Sequence, residues 1–132
     1  MKLIVTNDYE ALSRRAAGLV IEYILQNPAS VLVLATGNSP LGMFAKLVSA
    51  YQCGEVSFKQ CSLIELDDYF NISQDDHRNL YNWLAAEFIS QVDILAKNIV
   101  RFNTASANPH AGDHIVGSIN QKLCNTKICY KK

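Results

Sequence analysis

Val31-Leu32-Val33-Leu34-Ala35-Thr36-Gly37-Asn38-Ser39-Pro40 is the stretch that decides the fold class of this chain. Its first half is wholly apolar, partly β-branched and of strand length. It lacks the polar alternation of a strand with one wet face, so it predicts a strand covered on both faces in a parallel sheet. Its second half turns at once. Gly37 lets the backbone approach a ligand closely, Asn38 tolerates a left-handed conformation, and Pro40 fixes the early turn of a following helix. The N–H groups of such a turn and the positive end of the helix dipole bind anions, and the hydroxyls of Thr36 and Ser39 add donors for phosphate oxygens. The same residues also make ordinary turn chemistry, and the turn alone does not choose between the two.

Working outward, Lys2 to Val5 predicts a short apolar strand, and Asn7 with Glu10 three residues later predicts a capped helix start. That helix runs to about Gln26, its stripe formed by Leu12, Ala16, Leu19, Val20, Tyr23 and Ile24, and Asn27-Pro28 ends it. Downstream, Leu41, Phe44, Ala45, Leu47, Val48 and Tyr51 predict a second helix stopped near Cys53-Gly54. Ser62 to Leu66 predicts the next strand, and Asp67 to His77 a long polar loop of the kind that carries function. Leu80, Trp83, Leu84 and Phe88 mark a third helix, and Asn98 to Phe102 a fourth strand. Alternating strands and helices predict an α/β fold, an open, mostly parallel, doubly wound Rossmann-like sheet with helices on both faces. A weak helix is drawn through Ile115, Ile119 and Leu123, interrupted by Gly112 and Gly117, whereas Cys124 to Lys132 has no apolar period. The expected organisation is one α/β domain over residues 1–123 and an aperiodic basic tail over 124–132.

Composition narrows the function classes. The 132 residues carry 12 Lys+Arg against 12 Asp+Glu, with 49% apolar and 18% charged residues, as in one soluble globular domain. A neutral chain lacks the basic footprint of a general nucleic-acid binder, so no nucleic-acid partner is expected. The longest apolar run, Val31 to Ala35, is far short of the roughly 20 residues that span a bilayer, and the first residues hold no signal-peptide stretch. The expectation is a cytoplasmic protein without a membrane partner. Cys53, Cys61, Cys124 and Cys129 show no zinc spacing and read as reduced thiols, so no metal is expected.

Open parallel sheets bind ligands beyond the carboxyl ends of their strands, which singles out the Thr36–Ser39 turn and Asp67-Asp68-Tyr69 after the next strand. Adjacent residues in extended chain point opposite ways, so Asp67 and Asp68 do not make a shared-proton dyad, although one could act as a lone general base. The alternative, two solvated loop acids or a helix cap, fits the spacing as well. His77, His110 and His114 have no partner spacing and read as surface residues. Trp83 and Phe88 read as core.

Four ordered segments together resemble the glucosamine-6-phosphate deaminase/isomerase family, which is related to 6-phosphogluconolactonase. They are Ala35 to Pro40, Gly54-Glu55-Val56-Ser57-Phe58-Lys59, Leu66-Asp67-Asp68-Tyr69, and Val92-Asp93-Ile94 with Asn98-Ile99. The resemblance covers Lys2 to about Asn103, and its second and third segments favour the deaminase branch. It implies that Asp67 is the catalytic carboxylate that moves the C2 proton of an open-chain amino-sugar phosphate to C1. The resulting imine is then hydrolysed to a ketose phosphate and ammonia, with no cofactor. It also implies a supporting role for Asp68 and phosphate binding at Thr36, Gly37, Asn38 and Ser39.

Family members continue into a Gly-rich segment containing Asp, Gly and His, then Asn-Glu-Pro, which supply the ring-opening histidine and its acidic partners. Neither motif occurs in this sequence. The expectation is therefore an amino-terminal part of such an enzyme, cut short near residue 120, the sheet incomplete on its C-terminal side and deamination weak or absent. Two alternatives stand beside it: a non-catalytic sugar-phosphate-binding or interaction module, and a 6-phosphogluconolactonase-like hydrolase. An exposed sheet edge would favour homo-oligomers.

Overall fold

Asp8 starts the first helix, α1 (Tyr9–Gln26), its carboxylate accepting the Ala11 N–H at 2.7 Å. The cap lies one residue beyond the expected Asn7, and a charged cap gains attraction from the helix dipole that Asn lacks. The protein, described over residues 3–105 of a computed structural model, then alternates as the sequence predicts. β1 (Val31–Leu34), α2 (Asn38–Gln52), β2 (Ser62–Glu65), α3 (Leu80–Glu87) and β3 (Ile99–Val100) follow in order. The strands form one parallel sheet in the order β1-β2-β3. A parallel open sheet joined by helices is the predicted fold class.

Register decides which side chains meet. Leu32 lies opposite Leu63, and Leu63 opposite Ile99, so these three share a face with Leu34 and Glu65. That face meets one core in which α1 contributes Ala17 and Ile24, α2 contributes Phe44, Leu47 and Val48, and α3 contributes Leu84. Phe88 is fully buried at its centre, stacked on Phe44 and edge-on to Phe58, each with ring centroids 5.2 Å apart. Such pairs add about 0.5–1.5 kcal/mol beyond the area they bury.

Four local expectations are corrected. Leu3 to Val5 is not a strand: Leu3 and Val5 are exposed, and among the described residues no ladder pairs with them. The fourth strand shrinks to Ile99–Val100. In α1 the expected stripe is rotated, for Leu12, Leu19 and Tyr23 are exposed while Ser13, Ala17 and Ile24 are buried. Small residues face α2 because Gly42 brings the two helices close: a Cβ there would sit 2.9 Å from the Tyr9 ring and 3.0 Å from Ser13 Cβ. In β1, Val33 is 55% exposed, so its second face is not covered among the described residues. The weak helix over 109–123, the tail over 124–132, His110, His114, Cys124 and Cys129 lie outside the described residues.

Candidate functional site

The parallel register sets the site. Leu34 is paired with Glu65, and the Leu66 N–H donates to the Leu34 carbonyl at 3.1 Å, so Thr36 and Asp67 leave the sheet at equivalent positions on adjacent strands. Both carboxyl-end turns therefore open on the same edge, as ligand sites in open α/β sheets do.

Gly37 is the N-cap of α2 with φ +93° and ψ −174°, a conformation essentially confined to glycine. No side chain caps this helix end. A hydroxyl from α1 braces it instead. Tyr9 Oη donates to the Asn38 carbonyl at 2.6 Å and accepts the Gly42 N–H at 2.9 Å. Thr36 and Gly37 then form one wall of a cavity of about 420 Å³, whose other wall is Tyr69, His77, Arg78, Asn79, Leu80 and Trp83. Of the four residues expected to bind phosphate, Thr36 and Gly37 line this cavity; Asn38 and Ser39 stand in the first turn of α2.

The two acids separate as expected. Asp67 is exposed, whereas Asp68 is half-buried and accepts the N–H groups of Tyr69 at 2.7 Å and Leu80 at 3.0 Å. Asp68 is thus a cap as well as a loop acid, satisfying a free donor at the start of α3. Neither carboxylate lines the cavity, though their neighbour Tyr69 does. Asn79 completes the helix start by accepting the Asn82 N–H and donating to Thr104 Oγ1 at 3.3 Å, both residues being buried.

Four residues stand differently from a reading by spacing. Arg78 lines the cavity and is held by Asp76 through Nε at 3.0 Å and Nη2 at 2.7 Å. Those hydrogen bonds keep the Asp76 carboxyl well below the usual range and raise Arg78 further. His77, read as a surface residue, is exposed and yet part of the wall. Trp83, read as core, is only half-buried, since one side of it faces the cavity. Glu65, at 2% exposure, is the fourth. It sits on the core face, Oε2 accepting the Phe102 N–H at 3.0 Å, and burial pushes its carboxyl up to about 7. Alternation places Glu65 on the same face as Leu63, and that is the signal a sequence reading could have used.

The other two segments of the family resemblance prove structural. Ser57 Oγ donates to Asp93 Oδ2 at 2.6 Å and the Phe58 N–H to Asp93 Oδ1 at 2.7 Å, which pins the chain before β2 to the turn before β3. Cys61 is buried, and desolvation raises its thiol to about 11, which makes it inert. Among the described residues no group of three or more His, Cys, Asp and Glu could hold a metal ion, and no helix is long and apolar enough to cross a membrane.

No family model matches the chain. Glucosamine-6-phosphate deaminase of Alkaliphilus metalliredigens is 33% identical over 99 residues, which are 75% of this chain and 41% of the relative. The enzyme of that name from Thermoanaerobacter sp. is 35% identical over 99 residues, 75% and 39% of the respective chains. A solved monomeric glucosamine-6-phosphate deaminase superposes with TM-score 0.83 at 27% identity, covering 91% of this chain and 52% of that one. The 6-phosphogluconolactonase of Thermotoga maritima shares the fold, with TM-score 0.70 at 16% identity over 90% of this chain and 53% of that one. The chain spans about two fifths of the length of the curated relatives it matches.

Proposed function

We propose that this chain, a relative of the glucosamine-6-phosphate deaminases over three quarters of its length, carries the phosphate-binding and proton-transfer half of an amino-sugar-phosphate deaminase/isomerase site. The observation that carries the reading is the shared edge. The Gly37 turn and the Asp67 turn leave adjacent parallel strands in register, and a cavity opens between the first turn and the loop that follows the second.

In this reading the uncapped N–H groups at Gly37 to Ser39 and the Thr36 hydroxyl take the phosphate, with Arg78 supplying positive charge from the opposite wall and His77 a ring nitrogen beside it. Asp67, exposed beside the cavity, is the base that removes the C2 proton of the open-chain aldose and returns it to C1. The resulting C2 imine takes up water and loses ammonia, leaving the ketose phosphate. Proton transfer and hydrolysis balance without a redox partner, so no cofactor is required. Asp68 supports the base by fixing the backbone next to it. The reading places residues 1–123 in one cytoplasmic α/β unit. Among the described residues β1 and β3 are the sheet's edges, and such edges favour self-association or a partner.

The sequence has no counterpart of the Asn-Glu-Pro segment that the resemblance associates with ring opening. The 132-residue chain is therefore expected to bind glucosamine 6-phosphate and release little ammonia. Calorimetric titration and an ammonia assay on the same preparation test this. Asp67→Asn should leave affinity within about threefold, since the carboxylate does not touch the phosphate, and abolish whatever turnover exists. Absence of binding to any hexosamine phosphate would sink the proposal, whereas ammonia release abolished by Asp67→Asn would show that the chain is catalytic as it stands.

A further inference from the structure

Among the described residues, two buried oxygens on adjoining elements lack a hydrogen-bond partner, Glu65 Oε1 at the end of β2 and Asp68 Oδ2 in the loop beyond it. An isolated buried acceptor costs free energy, and two facing carboxylates cost more because they also repel. Here the two carboxyl groups lie within hydrogen-bonding reach of each other, so one proton between them satisfies both orphan atoms at once. We propose that Glu65 and Asp68 share that proton, Glu65 Oε1 donating to Asp68 Oδ2, and that this buried acid pair positions the loop carrying Asp67.

The remaining oxygens show what the pair ties together. Glu65 Oε2 accepts the Phe102 N–H beyond β3, and Asp68 Oδ1 accepts the N–H groups of Tyr69 and Leu80. A protonated Glu65 therefore links β2, the chain leaving β3 and the start of α3 through a single acid hydrogen bond, with Asp67 held between its two members. Among the described residues, the other charge acting on Glu65 is Arg101. Arg101, exposed beyond β3, draws the Glu65 carboxyl down, but it is engaged with Gln74 Oε1 at 3.1 Å and lies 4.7 Å from the Tyr81 ring centre. Burial and Asp68 outweigh it and the Phe102 N–H, leaving Glu65 near 7. Because this value is raised above the usual 4.5, the stabilisation is complete below about 4.5 and is lost as pH rises through about 7. Above that range the pair becomes two anions and the loop loses its tie to β2.

Glu65 is accordingly a positioning residue. Its effect on ligand affinity rests on the function proposed above; the shared proton does not. Carboxyl-carbon NMR of the full chain from about pH 4 to 9 tests the proton directly. We expect Glu65 to titrate near 7, and Asp68→Asn to lower its midpoint by more than about one unit. A Glu65 midpoint near 4.5 overturns the pair even if Asp68→Asn fails to fold, and a midpoint that Asp68→Asn leaves unmoved overturns it as well. Glu65→Gln keeps a donor toward Asp68 at every pH. It should hold glucosamine 6-phosphate affinity constant between about pH 7 and 8.5, where the unsubstituted chain weakens by about fivefold. Equal pH profiles for the two proteins would remove the positioning role. Absence of binding in both would count against the proposed function, and NMR would still decide the acid pair.

Discussion

The two turns at the carboxyl edge of the sheet are built on opposite principles. The turn after β1 passes from strand to helix within three residues and presents backbone N–H groups, its shape set by Gly37 and by a tyrosine hydroxyl from α1. The loop after β2 takes fourteen residues to reach α3 and is shaped from within by side chains, chiefly Asp68, Asp76 and Asn79. One turn is sensitive to an added Cβ, the other to a lost or gained proton. An anion site needs fixed donors that do not titrate, while a proton-transfer site needs a carboxylate whose surroundings respond to charge.

The largest expected effect breaks the first turn from outside. Gly42→Ala drives a methyl group into Ser13 and Tyr9 where α1 crosses α2, and should cost about 2–3 kcal/mol. For a domain this size that is a fall in Tm of roughly 10 °C or more. Adding Ser13→Ala removes the hydroxyl whose oxygen has no partner among the described residues and which lies nearest the new methyl, so the double variant should recover at least half of the loss. Thermal unfolding of the two variants decides it; an unchanged melting curve for Gly42→Ala would contradict the helix approach on which the brace depends.

A smaller loss in stability and a larger one in binding follow from Gly37→Val. Space is not the obstacle, since nothing lies within 4 Å of the new Cβ. The obstacle is φ +93°, which costs about 1–2 kcal/mol for a side chain and more for a β-branched one. Relaxing that strain turns the N–H groups away from the cavity, so hexosamine-phosphate affinity should drop more than about tenfold. The Glu65 titration should stay where it was. A shift there would mean that the two turns are one coupled unit rather than two independent ones.

What the sequence disclosed follows the same division. The short turn was legible because its determinants are local: an apolar run, a glycine and a proline in ten consecutive residues. The alternation of strands with three helices was legible for the same reason, whereas the bracing of Ser57 and Phe58 by Asp93, 36 and 35 residues away, was not. The long loop was not. Arg78 reaches the cavity only because the chain folds back between β2 and α3, and Tyr9 reaches Asn38 across 29 residues. Neither leaves a periodic trace. The α1 stripe misled because Leu12, Leu19 and Tyr23 have the right spacing, yet close packing on Gly42 selects the small residues of the adjacent face. Hydrophobic period finds a helix, but the size of its neighbours sets its rotation.

Tyr9→Phe is the mildest of these perturbations and the sharpest test of the contrast between the turns. The ring stays, so packing against Gly42 is kept, and only the hydroxyl that joins Asn38 to Gly42 is lost. Tyr9 is about half exposed, so water replaces part of the lost bonding and the cost should be no more than about 1 kcal/mol. Amide hydrogen exchange locates the effect. The Gly42 N–H loses its tyrosine acceptor and keeps only the Asn38 carbonyl of its own helix, so it should exchange about fivefold faster, whereas the Leu80 N–H, held by Asp68 in the other loop, should keep its rate. Faster exchange at both amides would mean that α1 supports the whole carboxyl edge. Unchanged exchange at Gly42 would mean that the short turn holds its shape through Gly37 and the helix alone, and that the tyrosine merely rests against it.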